Sequence, residues 1–138
     1  MNKYFLFVLL FVLVVSCESS IEESGVPNVP VNIEINLNDI DNVALKLVGG
    51  YIYVQGGVRG IIVRHESQNL YKAYDRNCTF QPTVASAIVE VHSSGFYIED
   101  TSCTSTFDLN GFPTGGPAEF PLKEYGISLS GDLLFIFN

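Results

Sequence analysis

The stretch Asp100–Tyr125, DTSCTSTFDLNGFPTGGPAEFPLKEY, decides the reading of this chain. Phe107 and Tyr125 are large apolar groups of the kind that fill a core, while Asp108 and Asn110-Gly111 form a turn signal. Gly115-Gly116-Pro117 is a second turn that stops a strand, since proline cannot continue a hydrogen-bonded ladder. Outward from this stretch the apolar period is two. Val31, Ile33, Ile35 and Leu37 alternate with Asn32, Glu34, Asn36 and Asn38, which predicts an antiparallel strand with one buried face. Val43–Val48 and Tyr51–Val54 flank Gly49-Gly50 as two further strands or a bent pair. Arg59–Arg64 holds the short apolar run Ile61–Val63, and His65–Asn69 is a polar turn before the strand Leu70–Tyr74. Ala87–His92 and Phe96–Glu99 bracket Ser93-Ser94-Gly95, a hairpin with Gly95 at a positive-φ position. Gly126–Ser130 and Leu133–Phe137 bracket Gly131-Asp132 in the same way. Short strands at close spacing, carrying five of the seven Tyr together with Phe96, Phe135 and Phe137, predict one all-β sandwich or barrel over residues 31–138.

The start of the chain has a different character. Lys3 is followed by the unbroken apolar run Tyr4–Val15, too short to cross a bilayer comfortably, and Val14-Val15-Ser16-Cys17 has the shape of a lipobox. Residues 1–16 are therefore expected to be a cleaved lipoprotein signal, with Cys17 diacylated and membrane lipid as the anchor. Residues 17–30, rich in Ser, Glu, Gly and Pro, are expected to be a flexible tether. The implied location is a bacterial cell envelope, lipid-anchored, at the outer membrane and facing the periplasm or the surface. Without residues 1–16 the chain carries 15 acids against 6 bases, −9, which excludes nucleic acid as a partner because its phosphates require Lys and Arg. No Walker motif, GxGxxG or internal repeat is present, and neither His65 nor His92 sits near a nucleophile in a hydrolase pattern. The expectation is a protein that is not an enzyme. With Cys17 lipidated, Cys78 and Cys103 remain as an even pair in an exported, oxidising setting.

The order Ser105-Thr106-Phe107-Asp108-Leu109, then Gly116-Pro117-Ala118, then Pro121-Leu122 and Tyr125 resembles the second cluster-binding loop of Rieske iron–sulfur proteins. In that family C-P-x-H-G-S-x-F is followed by a G-P-A loop and P-L-x-x-Y. Tyr71–Pro82, YKAYDRNCTFQP, is similar to the family's first loop, where A-x-x-x-x-C delivers C-x-H. Gly56–His65, GGVRGIIVRH, resembles the strand just upstream. The resemblance implies a Rieske-like β domain with two loops at the cluster site.

It also implies which residues stand at the ligand positions. A Rieske [2Fe–2S] centre takes two thiolates on one iron and two imidazoles on the other. The first-loop Cys matches Cys78 and the first-loop His falls on Phe80, which has no lone pair. The second-loop Cys falls on Asp100 and its His on Cys103. On this reading the cluster is lost and no cofactor is bound. Any metal retained would be held by Cys78, Asp100 and Cys103. Because the family's loops face each other, Cys78 and Cys103 are expected to form a disulfide closing about 25 residues, worth roughly 3–4 kcal/mol on the chain-entropy model. The expected function is a non-catalytic binding or structural role in the envelope. The alternatives are [2Fe–2S] electron transfer through atypical ligands, and redox sensing by the cysteine pair.

Overall fold

The computed structural model describes residues 24–138. The signal segment 1–16, Cys17 and the first part of the tether lie outside the described residues. Among the described residues ten strands run in three antiparallel sheets. The first sheet joins β1 (Asn32–Asn36), β10 (Leu133–Phe137) and β9 (Gly126–Ser130) in that order. A second joins β2 (Tyr51–Val54), β3 (Ile61–Ser67) and β4 (Leu70–Asp75). The third runs β5 (Glu90–Val91), β6 (Ile98–Asp100), β7 (Ser105–Phe107) and β8 (Pro113–Gly115). The all-β class expected from the period-two pattern is what the chain adopts.

The β2–β3–β4 sheet lies between the other two and is buried on both faces. Ile61, Val63, Tyr71 and Ala73 face a core shared with Ile35, Leu134 and Ile136 of the first sheet. Ile62 and Tyr74, one residue out of phase, face a second core with Val89, Ile98 and Phe107. Side chains alternate across a strand, so a run without polar interruption is what a two-sided strand requires. Ile61–Val63 supplies that run, and the polar Arg64 and His65 that follow are buried with it.

Three expected elements differ. Of the expected strand Val43–Val48, Val43–Lys46 lie in a 3-10 helix, Ile40–Lys46, and Leu47 and Val48 follow it outside any strand. Only Leu45 of that helix reaches the core, while Ile40, Val43, Leu47 and Val48 stay exposed, so no buried face exists for a strand to present. His65–Ser67 extends β3 into the expected turn, which shrinks to Gln68-Asn69, with a bulge between His65 and Ser67. The end of the predicted tether is also docked. Val26 is buried, Lys123 Nζ donates to the Pro27 carbonyl at 2.8 Å, and Asn138 Nδ2 donates to the Val29 carbonyl at 2.8 Å. These partners lie about a hundred residues away in sequence, which is why composition alone read the segment as free.

Candidate metal centre

Two loops, one leading from the second sheet to the third and one within the third, carry the residues singled out above. The first leaves β4 at Asp75 and crosses to the third sheet. Cys78 N–H donates to the Ala87 carbonyl at 3.0 Å, and Val89 N–H to the Arg76 carbonyl at 2.8 Å. A buried polar network holds this crossing. Asp75 is fully buried with no cationic partner. Its Oδ2 accepts from Val58 N–H and the Tyr125 hydroxyl, both at 2.7 Å, and its Oδ1 accepts from Asn77 N–H at 2.8 Å. Asn77 in turn accepts from Arg59 Nε and donates to the Pro82 carbonyl at 3.1 Å. A buried carboxylate is tolerable only when its lone pairs are taken. The same bonds set the path of the chain into Cys78.

The second loop is the turn between β6 and β7, where Asp100 and Ser105 are register partners and Thr104 N–H donates to the Asp100 carbonyl at 2.8 Å. Thr104 sits at φ 62°, and Gln81 of the first loop at φ 50°. Left-handed backbone in a β-branched residue costs on the order of 1–3 kcal/mol and persists only where the surroundings impose it. Here the third loop, Gly115–Ala118, imposes it. Ala118 N–H donates to Ser105 Oγ at 3.2 Å, and a Cβ on Gly116 (φ 78°) would stand 2.5 Å from Ser105 Cα and the Thr104 carbonyl.

These loops bring together Cys78, Asp100 and Cys103. One donor atom from each lies within 4.8 Å of the other two. The two sulfurs are 3.9 Å apart. Asp100 is 1% exposed; its Oδ1 accepts from Ser102 N–H at 2.8 Å and from the Ser102 hydroxyl at 2.7 Å, while Oδ2 is buried without a hydrogen-bond partner. Burial pushes the Asp100 carboxyl upward, but the Ser102 bonds and the two neighbouring thiols outweigh it and hold the pKa below the usual value. For Cys78, burial is the largest effect, and with the Asp100 and Cys103 neighbours it pushes the thiol up to about 12 despite the Phe80 N–H at its sulfur.

The disulfide expected between Cys78 and Cys103 is not formed. A sulfur–sulfur bond is about 2.05 Å long, and both cysteines are free thiols at 3.9 Å, with Cys103 donating to Ser105 Oγ at 3.1 Å. Phe80 packs half-buried against the core that includes Cys78 and offers no donor. The chain's two histidines are elsewhere. His65 stacks on Tyr71, with ring centroids 4.5 Å apart, and His92 stacks on Tyr97 at 4.3 Å. The residues therefore fit one half of a Rieske-type centre. Two thiolates on one tetrahedral ion with metal–sulfur bonds of ~2.3 Å stand about 3.8 Å apart, close to the separation seen. The imidazole half does not fit, because no imidazole reaches the group. What the sequence reading missed is the support around these donors: Asp75, Asn77, Arg59, Ser102 and Ser105. The only signal for it was a run of polar residues, Asp75-Arg76-Asn77, immediately before a cysteine in an otherwise apolar strand.

No family model matches the chain, and neither does any curated protein. Among solved structures, the ferredoxin of carbazole 1,9a-dioxygenase from Nocardioides aromaticivorans IC177 aligns over 80% of this chain and 98% of its own, at a TM-score of 0.50 and 17% identity. The complex of reduced oxygenase and oxidized ferredoxin in carbazole 1,9a-dioxygenase aligns over 68% and 86%, at a TM-score of 0.48 and 18% identity. The expectation that the chain carries no cofactor is corrected: its fold is similar to that of the carbazole 1,9a-dioxygenase ferredoxin, and Cys78, Asp100 and Cys103 converge at one place where they could hold a metal. The chain has a Rieske-like, all-β fold.

Proposed function

We propose that this chain is an electron-transfer domain whose iron is held by Cys78, Cys103 and Asp100, a thiolate–carboxylate set in place of the thiolate–imidazole set. The observation that carries the reading is the approach of these three donors to within 4.8 Å, with one buried Asp100 oxygen left without a hydrogen-bond partner. Iron bound there would supply one-electron redox chemistry. The chain's own part is to hold two thiolates and a carboxylate in register, to tie the Asp100 Oδ1 lone pairs to Ser102, and to cover the site with Phe80 and the Gly115–Ala118 loop. Similarity to a ferredoxin supports a carrier over a catalyst, and electron transfer over the non-catalytic binding or structural role first expected.

Diacylation of Cys17 would anchor this centre to a bacterial envelope membrane, with membrane lipid as partner. The apolar run Tyr4–Val15 and the Val14–Cys17 pattern support that placement. Labelled fatty acid should enter the wild-type chain and not C17S.

The test of the redox reading is anaerobic expression with iron, followed by iron and acid-labile sulfide analysis and EPR of the reduced protein. Iron bound at a fixed ratio to chain, with a signal lost in C78S, is the expected result. A colourless protein without iron under these conditions overturns it.

A further inference from the structure

Resting on the acylation of Cys17, we infer that the loop end of the domain, where Phe80, Pro82, Val84, Pro117 and Phe120 stand, lies against the lipid headgroups of the anchoring membrane.

The strands give the domain two ends. β4 starts at Leu70 beside the 3-10 helix, where the Tyr71 hydroxyl donates to the Leu45 carbonyl at 3.4 Å, and it leaves at Asp75 into the first loop. β2 runs the same way. It follows Gly50 at the helix end, and the segment after it brings Arg59 Nη2 to the Val84 carbonyl at 2.7 Å in the first loop. The six residues of β4 set the two ends about 20 Å apart.

The described chain starts at the loop end. A Cβ on Gly25 would stand 3.4 Å from Pro82 Cγ, Val26 is buried, and Lys123 Nζ holds the Pro27 carbonyl. Cys17 lies eight residues before Gly25, which is at most about 29 Å of extended chain. That reach lets the loop end meet the membrane directly. Turning the exposed Ile40, Val43, Leu47 and Val48 of the helix end toward the bilayer would use most of it, because the same residues would have to run back along β4 and past the loops at each end.

The chemistry of the loop end agrees. Thr79–Ile88 and Asn110–Ala118 contain no charged residue, in a chain at −8. Phe80, Pro117 and Phe120 line one cleft, and the Thr79 hydroxyl ties its two sides by donating to the Phe120 carbonyl at 2.7 Å. Val84 is exposed on the same loop. Glu119, the one charged side chain in the cleft, keeps the contact at the depth of hydrated headgroups and out of the acyl region. Arg59 and Lys123 are held on protein carbonyls, so anionic phosphate is not the attraction. The contact is apolar and weak by itself, and the acylated tether makes it intramolecular.

The chain has no tryptophan, so a single one reports its own surroundings. The full chain is expressed with its signal, its acylation checked by intact mass, and reconstituted into phosphatidylcholine–phosphatidylethanolamine vesicles. V84W and T83W place the probe at exposed positions of the loop end, and L47W places it at the helix end. On reconstitution the emission of V84W and T83W should move to shorter wavelength, and headgroup spin-labelled lipid should quench it severalfold more strongly than that of L47W. Acylated, vesicle-bound protein in which L47W is quenched as strongly as the loop-end probes, or in which none is quenched, overturns this inference and leaves the anchor standing. A shift of the loop-end probes without quenching means that protein and not lipid covers them, and overturns it too. A chain without acyl mass that stays off the vesicles overturns the anchor itself, and this inference with it.

Discussion

Asp75 and Asp100 show how a buried carboxylate is used in two ways. Asp75 has both oxygens taken, by Val58 and Asn77 N–H groups and the Tyr125 hydroxyl, so it belongs to the frame. Asp100 keeps one oxygen free and belongs to the site. Removing the hydroxyl in Y125F leaves the Asp75 carboxylate one donor short in a dry environment. It should cost about 1–3 kcal/mol by denaturant unfolding, with metal content per folded chain unchanged. Burial, followed by the Asp75 hydrogen bond and charge, raises the Tyr125 pKa; for Tyr74, burial leads and the charges of Glu124 and Glu66 add to it. Because the folded pKa values lie above the unfolded value of about 10, the stability they confer is complete below that pH and is lost as pH rises through the folded values. The melting temperature should therefore fall steeply above pH ~10, and less steeply in Y125F; equal slopes would remove this account. The cysteines make a sharper prediction. In metal-free, oxidising buffer the 3.9 Å thiol pair should close to a disulfide, seen as a loss of two hydrogens in the intact mass, and bound metal should block that loss.

At the scale of elements, three loops act as one unit. The Gly115–Ala118 loop presses on the Asp100–Ser105 turn, and Ser105 Oγ links both to Cys103. G116A would bring a methyl group to 2.5 Å from the backbone of Thr104 and Ser105, at a φ of 78° that disfavours any side chain. The loop must move, so G116A should destabilise by at least about 1–3 kcal/mol and should weaken Co(II) binding by more than tenfold. Gly131, at φ 59° in the β9–β10 turn with open space around it, is the control. G131A should lose a comparable amount of backbone stability and leave Co(II) affinity unchanged. If both variants bind cobalt like wild type, the third loop does not position the site.

For the whole molecule, the two cores on either side of the central sheet make the site a joint between sheets. Cys78 closes the crossing from the second sheet to the third, and Asp100 and Cys103 stand at the turn of the third. A metal bound only in the folded state therefore stabilises the whole domain. At a hundredfold excess over the dissociation constant the gain is about 2.7 kcal/mol, which for a domain of this size corresponds to a rise in Tm on the order of 10 °C. Chelation should reverse it, and a Tm insensitive to both would place the metal elsewhere or nowhere. The all-β class and the strand pairs around Gly95 and Gly131 could be read from the order of residues alone, while Cys78, Asp100 and Cys103 were singled out as metal donors only through the resemblance. Alternation of apolar groups and turn chemistry are local properties, and local properties are written along the chain. The 3-10 helix at Ile40–Lys46, the docking of Val26–Val29 and the Asp75–Asn77–Tyr125 network were not readable in this way. Each depends on partners tens of residues or more distant: a core that reaches Leu45 alone, the side chains of Lys123 and Asn138, a hydroxyl fifty positions away. The same holds for the site. The resemblance singled out Cys78, Asp100 and Cys103, but only the folding of two loops toward each other could decide that the sulfurs stop short of a bond and leave a carboxylate oxygen beside them without a partner.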